Sequence, residues 1–163
     1  MPSDTLTTLA TLVGAKLRAK GLMLATAESC TGGWVAQAVT AIAGSSGWFE
    51  RGFVTYSDVA KQEMVGVSAR TLAAHGAVSE QTAREMVAGA LAHSRAQVTV
   101  AITGIAGPTG GSPEKPLGLV CFAWAVKGGA LRAETRQFKG DRESVRRQSV
   151  IAALQGVLEL LEG

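Results

Sequence analysis

Within TAESCTGGW, residues 26–34, a carboxylate, a thiol and the hydroxyls of Ser29 and Thr31 stand between two apolar stretches. Glu28, Ser29, Cys30 and Thr31 run directly into Gly32 and Gly33. A strand that enters a helix through such a loop leaves backbone N–H groups free to hold an anion. The Ser29 and Thr31 hydroxyls would add donors, and the glycines would allow close approach. The plain structural alternative is a capped helix start with glycines for tight packing. Cys30 at a helix start is a candidate thiolate nucleophile, although buried cysteines are more often inert. No GxxxxGKS/T pattern occurs, which removes the main support for nucleoside triphosphate cleavage.

A second cluster, AGSSGWFERGFVTYSDVAK (43–61), offers Ser45, Ser46, Tyr56, Ser57 and Lys61. A serine hydroxyl is a weak nucleophile until a base takes its proton, and a desolvated lysine can be that base without any histidine. The bland reading is a Ser-Ser-Gly turn and a surface lysine. A third segment, TGIAGPTGGSPEKP (103–116), is rich in glycine and proline and too irregular for a simple hairpin. Its Gly104 and Gly107 would let backbone approach a ligand, and its amides could meet an oxyanion; Lys115 reads as a solvated charge. A fourth, GDRESVRRQS, carries Arg142, Arg146 and Arg147. A guanidinium there can grip a phosphate bidentately, against the alternative of a solvated basic face. His75 and His93 stand apart from any carboxylate or cysteine at ligand spacing, and the zinc deaminase pattern is absent. Histidine-based and metal-based chemistries therefore fare poorly, and no cofactor or metal is expected.

The elements that must position these groups follow from periodicity. Ser3 or Asp4 can cap a first helix with Leu6, Leu9, Ala10, Val13 and Leu17 on one face, ended by Gly21. LMLATA (22–27) suits a buried strand, WVAQAVTAIAG a helix stopped by Gly44, and FERGFVTYS a strand ending near Tyr56. Asp58 would cap a short helix carrying Lys61; a helical turn follows at 68–74, and Ser79 caps a longer helix. QVTVAITGI reads as a second buried strand. LGLVCFAWAV and ALRAETRQF flank Gly128-Gly129 as a hairpin, and Asp141 opens the last helix. The alternation predicts a three-layer α/β/α sandwich over a mixed, mainly parallel sheet, as one domain spanning 1–163. In such sheets ligands gather beyond the carboxyl ends of the strands. ESCTGG, YSDVAK and TGIAGPTGGSPEKP all leave strands and would meet at one edge.

Bulk composition agrees. Of 163 residues, 47% are hydrophobic and 18% charged, a globular balance. A net charge of +3 suits a small anionic ligand and is too weak to argue for nucleic acid. Two distant cysteines without CxxC pairing fit a reducing compartment. The chain begins with hydroxyl and acidic residues rather than a basic signal-peptide start, and no apolar run approaches a membrane span. A cytoplasmic protein is expected, with no membrane partner.

TAESCTGGW, AGSSGWFERGFVTYS, LAAHGAVSE, ITGIAGPTGGSPEKPLG and GDRESVRRQ, in this order, resemble the C-terminal domain family of the competence/damage-inducible protein CinA, and in particular its stand-alone nicotinamide mononucleotide deamidases. The blocks span roughly residues 26–149. The resemblance implies hydrolysis of the carboxamide of nicotinamide mononucleotide to nicotinic acid mononucleotide and ammonia, a metal-free serine/lysine dyad, and a small-molecule nucleotide as partner. A homo-oligomer is also expected. Carried onto this chain, the lysine is Lys61 and the serine Ser46 or Ser29. Ser46 is preferred because Ser29 lies on the loop best suited to hold an anion. Tyr56, Thr103 and Arg146 or Arg147 match further site positions. Asp58 and Leu119 depart from the family pattern, which shows asparagine and threonine in their places. A non-catalytic nucleotide-binding module is the alternative reading.

Overall fold

The computed structural model describes residues 4–162. The first helix, α1 (Thr5–Lys20), is capped by Asp4, whose carboxylate accepts from Leu6 N–H at 3.1 Å, and it stops at Gly21 in the left-handed region. Ser3, the other expected cap, lies outside the described residues. Strand β1 (Leu24–Glu28) is buried along its whole length. Helix α2 (Trp34–Thr40) is shorter than expected, because the chain turns at Ala41 and makes a separate 3-10 turn at Ser45–Gly47 before β2 (Phe49–Val54).

Three helices follow: α3 (Asp58–Val65), α4 (Ala69–His75) and α5 (Glu80–Ala92). The cap of α3 is Ser57 rather than Asp58, since Ser57 Oγ accepts from Ala60 N–H at 3.0 Å and Asp58 is already in the first turn. Strand β3 (Val98–Gly104) leads through a long loop to the hairpin of β4 (Leu119–Val126) and β5 (Leu131–Gln137). The last helix, α6 (Arg142–Glu162), begins where Asp141 accepts from Ser144 N–H at 2.8 Å. No described helix is long and apolar enough to cross a membrane.

The sheet order is β2-β1-β3-β4-β5. β2, β1 and β3 are parallel, and β4 runs against both of its neighbours. One face carries the larger side chains: Leu24, Ile102, Phe122 and Trp124 pack with apolar residues of α1, α2 and α6. The opposite face is built mostly from alanines, among them Ala27, Ala101, Ala123 and Ala125, which let α5 lie close. Helices therefore cover both faces, as the alternation of elements predicts.

Between β1 and β3 the chain reverses its direction of travel across the sheet: β1 hands on to β2 on one side, and β3 to β4 on the other. A crevice opens at such a switch point, outside the carboxyl ends of the strands. Ser29, the first residue beyond β1, donates its N–H to Ile102 O on β3 at 3.0 Å, closing the floor of that crevice.

Candidate active site

Lys61 is the largest charged side chain in the interior, with only 1% of its surface exposed. It sits in the first turn of α3, and helical side chains tilt back toward the N-terminus. That tilt carries its ammonium to the two residues that leave β2. Nζ donates to Thr55 O at 2.9 Å and to Tyr56 O at 3.1 Å, and stands 3.0 Å from Ser29 Oγ. Among the described residues no carboxylate forms an ion pair with it. Burial lowers the Lys61 pKa from the ordinary lysine value, while the nearby Asp58 charge pushes the other way. The three neighbours suit both protonation states. An ammonium can donate to all three oxygens; a neutral amine keeps its N–H groups on the two carbonyls and turns its lone pair toward the serine O–H.

Adjacent strand residues point to opposite faces. Ser29 therefore faces Lys61, and Glu28 points into the α2 side. The Glu28 carboxylate is 1% exposed and fully engaged. Oε1 accepts from Thr31 Oγ1 at 2.6 Å and Val35 N–H at 2.9 Å, and Oε2 from Ala36 N–H at 3.1 Å. The helix start that the sequence offered as an anion cradle is thus filled by the chain's own carboxylate, and Thr31 donates inward rather than to a ligand. Gly32 and Gly33 supply the left-handed turn, at φ 59° and 102°, that connects strand to helix.

The groove at Ser29 and Lys61 has a volume of about 250 Å³, and Tyr56, Asp58, Thr103 and Gly104 also line it. Thr103 donates its hydroxyl to Ala77 O at 2.7 Å, tying the end of β3 to the turn before α5. Tyr56 is 61% exposed, and its hydroxyl accepts from Arg142 Nη2 at 3.2 Å. Arg142 also donates to Gly107 O at 2.7 Å and lines a second cavity of about 470 Å³ with Gly107, Pro108 and Leu117. Lys115, expected in solvent, donates to His75 O and straps the long loop onto the end of α4.

The remaining expected residues lie elsewhere. Ser46 is exposed on the turn before β2, at the amino ends of the parallel strands. Six strand residues at about 3.3 Å each put roughly 20 Å between that turn and the Lys61 end. The structure thus does not bring Ser46 to Lys61. Arg147 pairs with Asp4 at 2.7 Å on the α1 side. Arg146 turns inward, donating from Nε to Cys30 O at 3.0 Å and from Nη2 to Thr31 O at 3.1 Å. Cys30 is buried, and desolvation pushes its thiol pKa up to about 12, so it stands as a neutral thiol. Among the described residues no group of histidine, cysteine, aspartate and glutamate is placed to hold a metal ion.

The sequence shows both Glu28 and Arg142, but it does not assign Glu28 to the start of α2 or Arg142 to Tyr56 and Gly107. A carboxylate seven residues before an uncapped helix amide was the available signal for the first. For the second it was the position of Arg142 at the very start of α6.

The chain is similar to known proteins over nearly its whole length. The CinA C-terminal domain model matches residues 6–161. The nicotinamide-nucleotide amidohydrolase PncC of Escherichia coli is 56% identical over 155 residues, covering 95% of this chain and 94% of that protein. PncC of Pseudomonas putida is 52% identical over 157 residues, covering 96% and 98%. The crystal structure of competence/damage inducible protein CihA from Agrobacterium tumefaciens superposes with a TM-score of 0.94 at 46% identity, over 100% of this chain and 99% of that one.

Proposed function

The chain belongs to the CinA C-terminal domain family, and from that premise we propose that it hydrolyses the carboxamide of nicotinamide mononucleotide, giving nicotinic acid mononucleotide and ammonia in salvage toward NAD. Ser29 is the nucleophile and Lys61 its general base. The observation that carries this assignment is the 3.0 Å separation of Ser29 Oγ and Lys61 Nζ at the buried end of the groove.

In this reading the neutral Lys61 amine takes the Ser29 proton as Oγ attacks the carboxamide carbon. The resulting oxyanion needs donors. The Ser29 N–H is held by Ile102 O, so the next amides of the loop, Cys30 and Thr31, are the nearest candidates. The C–N bond breaks as Lys61, now an ammonium, returns the proton to the departing ammonia. Water then attacks the acyl-enzyme, giving its proton to Lys61, and the acid leaves as Ser29 is regenerated. Arg142, lying between Tyr56 and the larger cavity, is the guanidinium best placed for the nucleotide portion. Arg147 is the least suited, because it is already paired with Asp4.

The test is ammonia release from nicotinamide mononucleotide in the presence of a chelator. Lys61→Ala and Ser29→Ala should each lose turnover by about 10³-fold or more, and Ser46→Ala should stay within about twofold. Loss in Ser46→Ala with retention in Ser29→Ala would reverse the assignment. A folded wild type that releases no ammonia would end it.

A further inference from the structure

We propose that Glu28 and Arg146 are positioning residues for the reaction: one carboxylate and one guanidinium clamp the loop behind Ser29 so that its hydroxyl stays against Lys61, and Arg146 acts through that loop rather than on the substrate's phosphate. The inference rests on Ser29 being the nucleophile and goes beyond it.

The loop needs such a clamp. Between β1 and α2 the chain must reverse within Ser29–Gly33, and two of those residues are glycines in the left-handed region. Glycine gives the turn its geometry and no rigidity. Gly33, the residue before α2, contributes no side-chain cap. The hold on this segment comes instead from two charged side chains on the face of the sheet opposite Lys61.

Glu28 binds the loop from the strand side. Its two oxygens reach Thr31 in the loop and the amides of Val35 and Ala36 in the helix, so one buried carboxylate joins strand end, loop and helix start. Arg146 binds from α6. Its Nε and Nη2 meet the Cys30 and Thr31 carbonyls, and its guanidinium carbon lies 5.5 Å from the centre of the Trp34 ring. The oxygens of residues 30 and 31 thus meet a fixed fork, and the Thr31 hydroxyl meets a fixed acceptor. Ser29 is anchored on its other side by its amide bond to Ile102 O. Neither charged group lines the groove at Lys61. Each acts on Ser29 only through the backbone, and a displacement of about 1 Å at a reacting atom is enough to cost on the order of 100-fold in rate.

The experiment pairs steady-state kinetics on nicotinamide mononucleotide with labelling by a fluorophosphonate that carries no nucleotide. In labelling, Ser29 Oγ bonds to phosphorus, fluoride leaves, and Lys61 takes the serine proton. The variants are Arg146→Gln, Arg146→Lys, Glu28→Gln and Thr31→Val, each checked for a native thermal transition. Thr31→Val removes one bond of the clamp and keeps the buried carboxylate paired with the helix amides, so it reads the clamp even if Glu28→Gln does not fold. Expected is a fall of about 10- to 100-fold in kcat for Arg146→Gln, a smaller one for Thr31→Val, KM within about twofold, and the same loss in the rate of labelling. Arg146→Lys should recover little, because an ammonium lacks the planar fork.

Three results would overturn the clamp. One is a raised KM with labelling at the wild-type rate, which makes Arg146 a phosphate ligand. Another is a fall in turnover that labelling does not share. The last is wild-type kcat in both Arg146→Gln and Thr31→Val. An inactive wild type, or a label found away from Ser29, defeats the underlying assignment instead and is read from the wild type alone.

Discussion

A lysine that must accept a proton has to be neutral part of the time, and Lys61 is placed to make that easy. Burial destabilises its charged form, and the acceptors around it are two carbonyls and a hydroxyl, with no carboxylate among the described residues in an ion pair with it. Asp58 is the carboxylate whose charge works against this, raising the Lys61 pKa from the first turn of the same helix. The proposed mechanism requires the neutral amine, so activity should fall as pH drops through the Lys61 pKa. Asp58→Asn removes the opposing charge, and the acid limb of kcat/KM should therefore move to lower pH. A pH–rate profile checks this; an unmoved limb, or one displaced upward, refutes the electrostatic account. Sequence alone showed the residue types of this pair but not which serine belonged to it. Ser29 and Ser46 both lie on glycine-containing loops next to strands. What separates them is the parallel pairing of β1 and β2, which puts Ser29 and Lys61 beyond the carboxyl ends of those strands and Ser46 before the amino end of β2.

Positioning at the level of elements depends on how closely α3 can approach α5. Gly89 in α5 permits it: a Cβ there would lie 1.7 Å from Val65 O, at the end of α3. No rotamer relieves a clash with backbone, so Gly89→Ala must push α3 away. Overpacking of this kind costs about 1–3 kcal/mol or more, and because α3 carries Lys61 the movement also separates Lys61 from Ser29. Urea unfolding should show a lower midpoint, and at low temperature, where the variant remains folded, kcat should still fall at least 10-fold. Normal kcat in a destabilised variant would show that α3 does not set the position of the base. The elements themselves were largely legible, since caps such as Asp4 and Ser79 and the apolar runs of β1 and β3 mark them. What periodicity could not show was the premature end of α2. Ala41, Ile42 and Ala43 continue a helical pattern, yet the chain leaves the helix there because it must turn back to start β2 beside β1.

Across the whole molecule, mass and chemistry lie on different sides of the sheet. The α1, α2 and α6 face holds the large side chains, while Lys61 comes from the alanine-rich α3 and α5 face. Trp124 is the centre of the first face. It is fully buried, stacks on Phe122 with ring centroids 5.6 Å apart, and donates its indole N–H to Ala153 O at 3.0 Å. Gly156 makes room for it, since a Cβ there would lie 2.1 Å from the indole. Trp124→Phe leaves a void and removes the indole bond to a carbonyl that α6 already uses within the helix, a loss of about 2–4 kcal/mol. The void lies on the face of β4 away from α5, and β3, held to β1 by a full parallel ladder, stands between it and the crevice. Structure around a large-to-small substitution relaxes only partially, and the ladder keeps the ends of β1 and β3 in register. The thermal transition should therefore drop while kcat and KM, measured well below it, stay within about twofold of wild type. A matching loss of kcat would mean that the large-residue core sets the crevice geometry directly, and that the two faces are not separable in function.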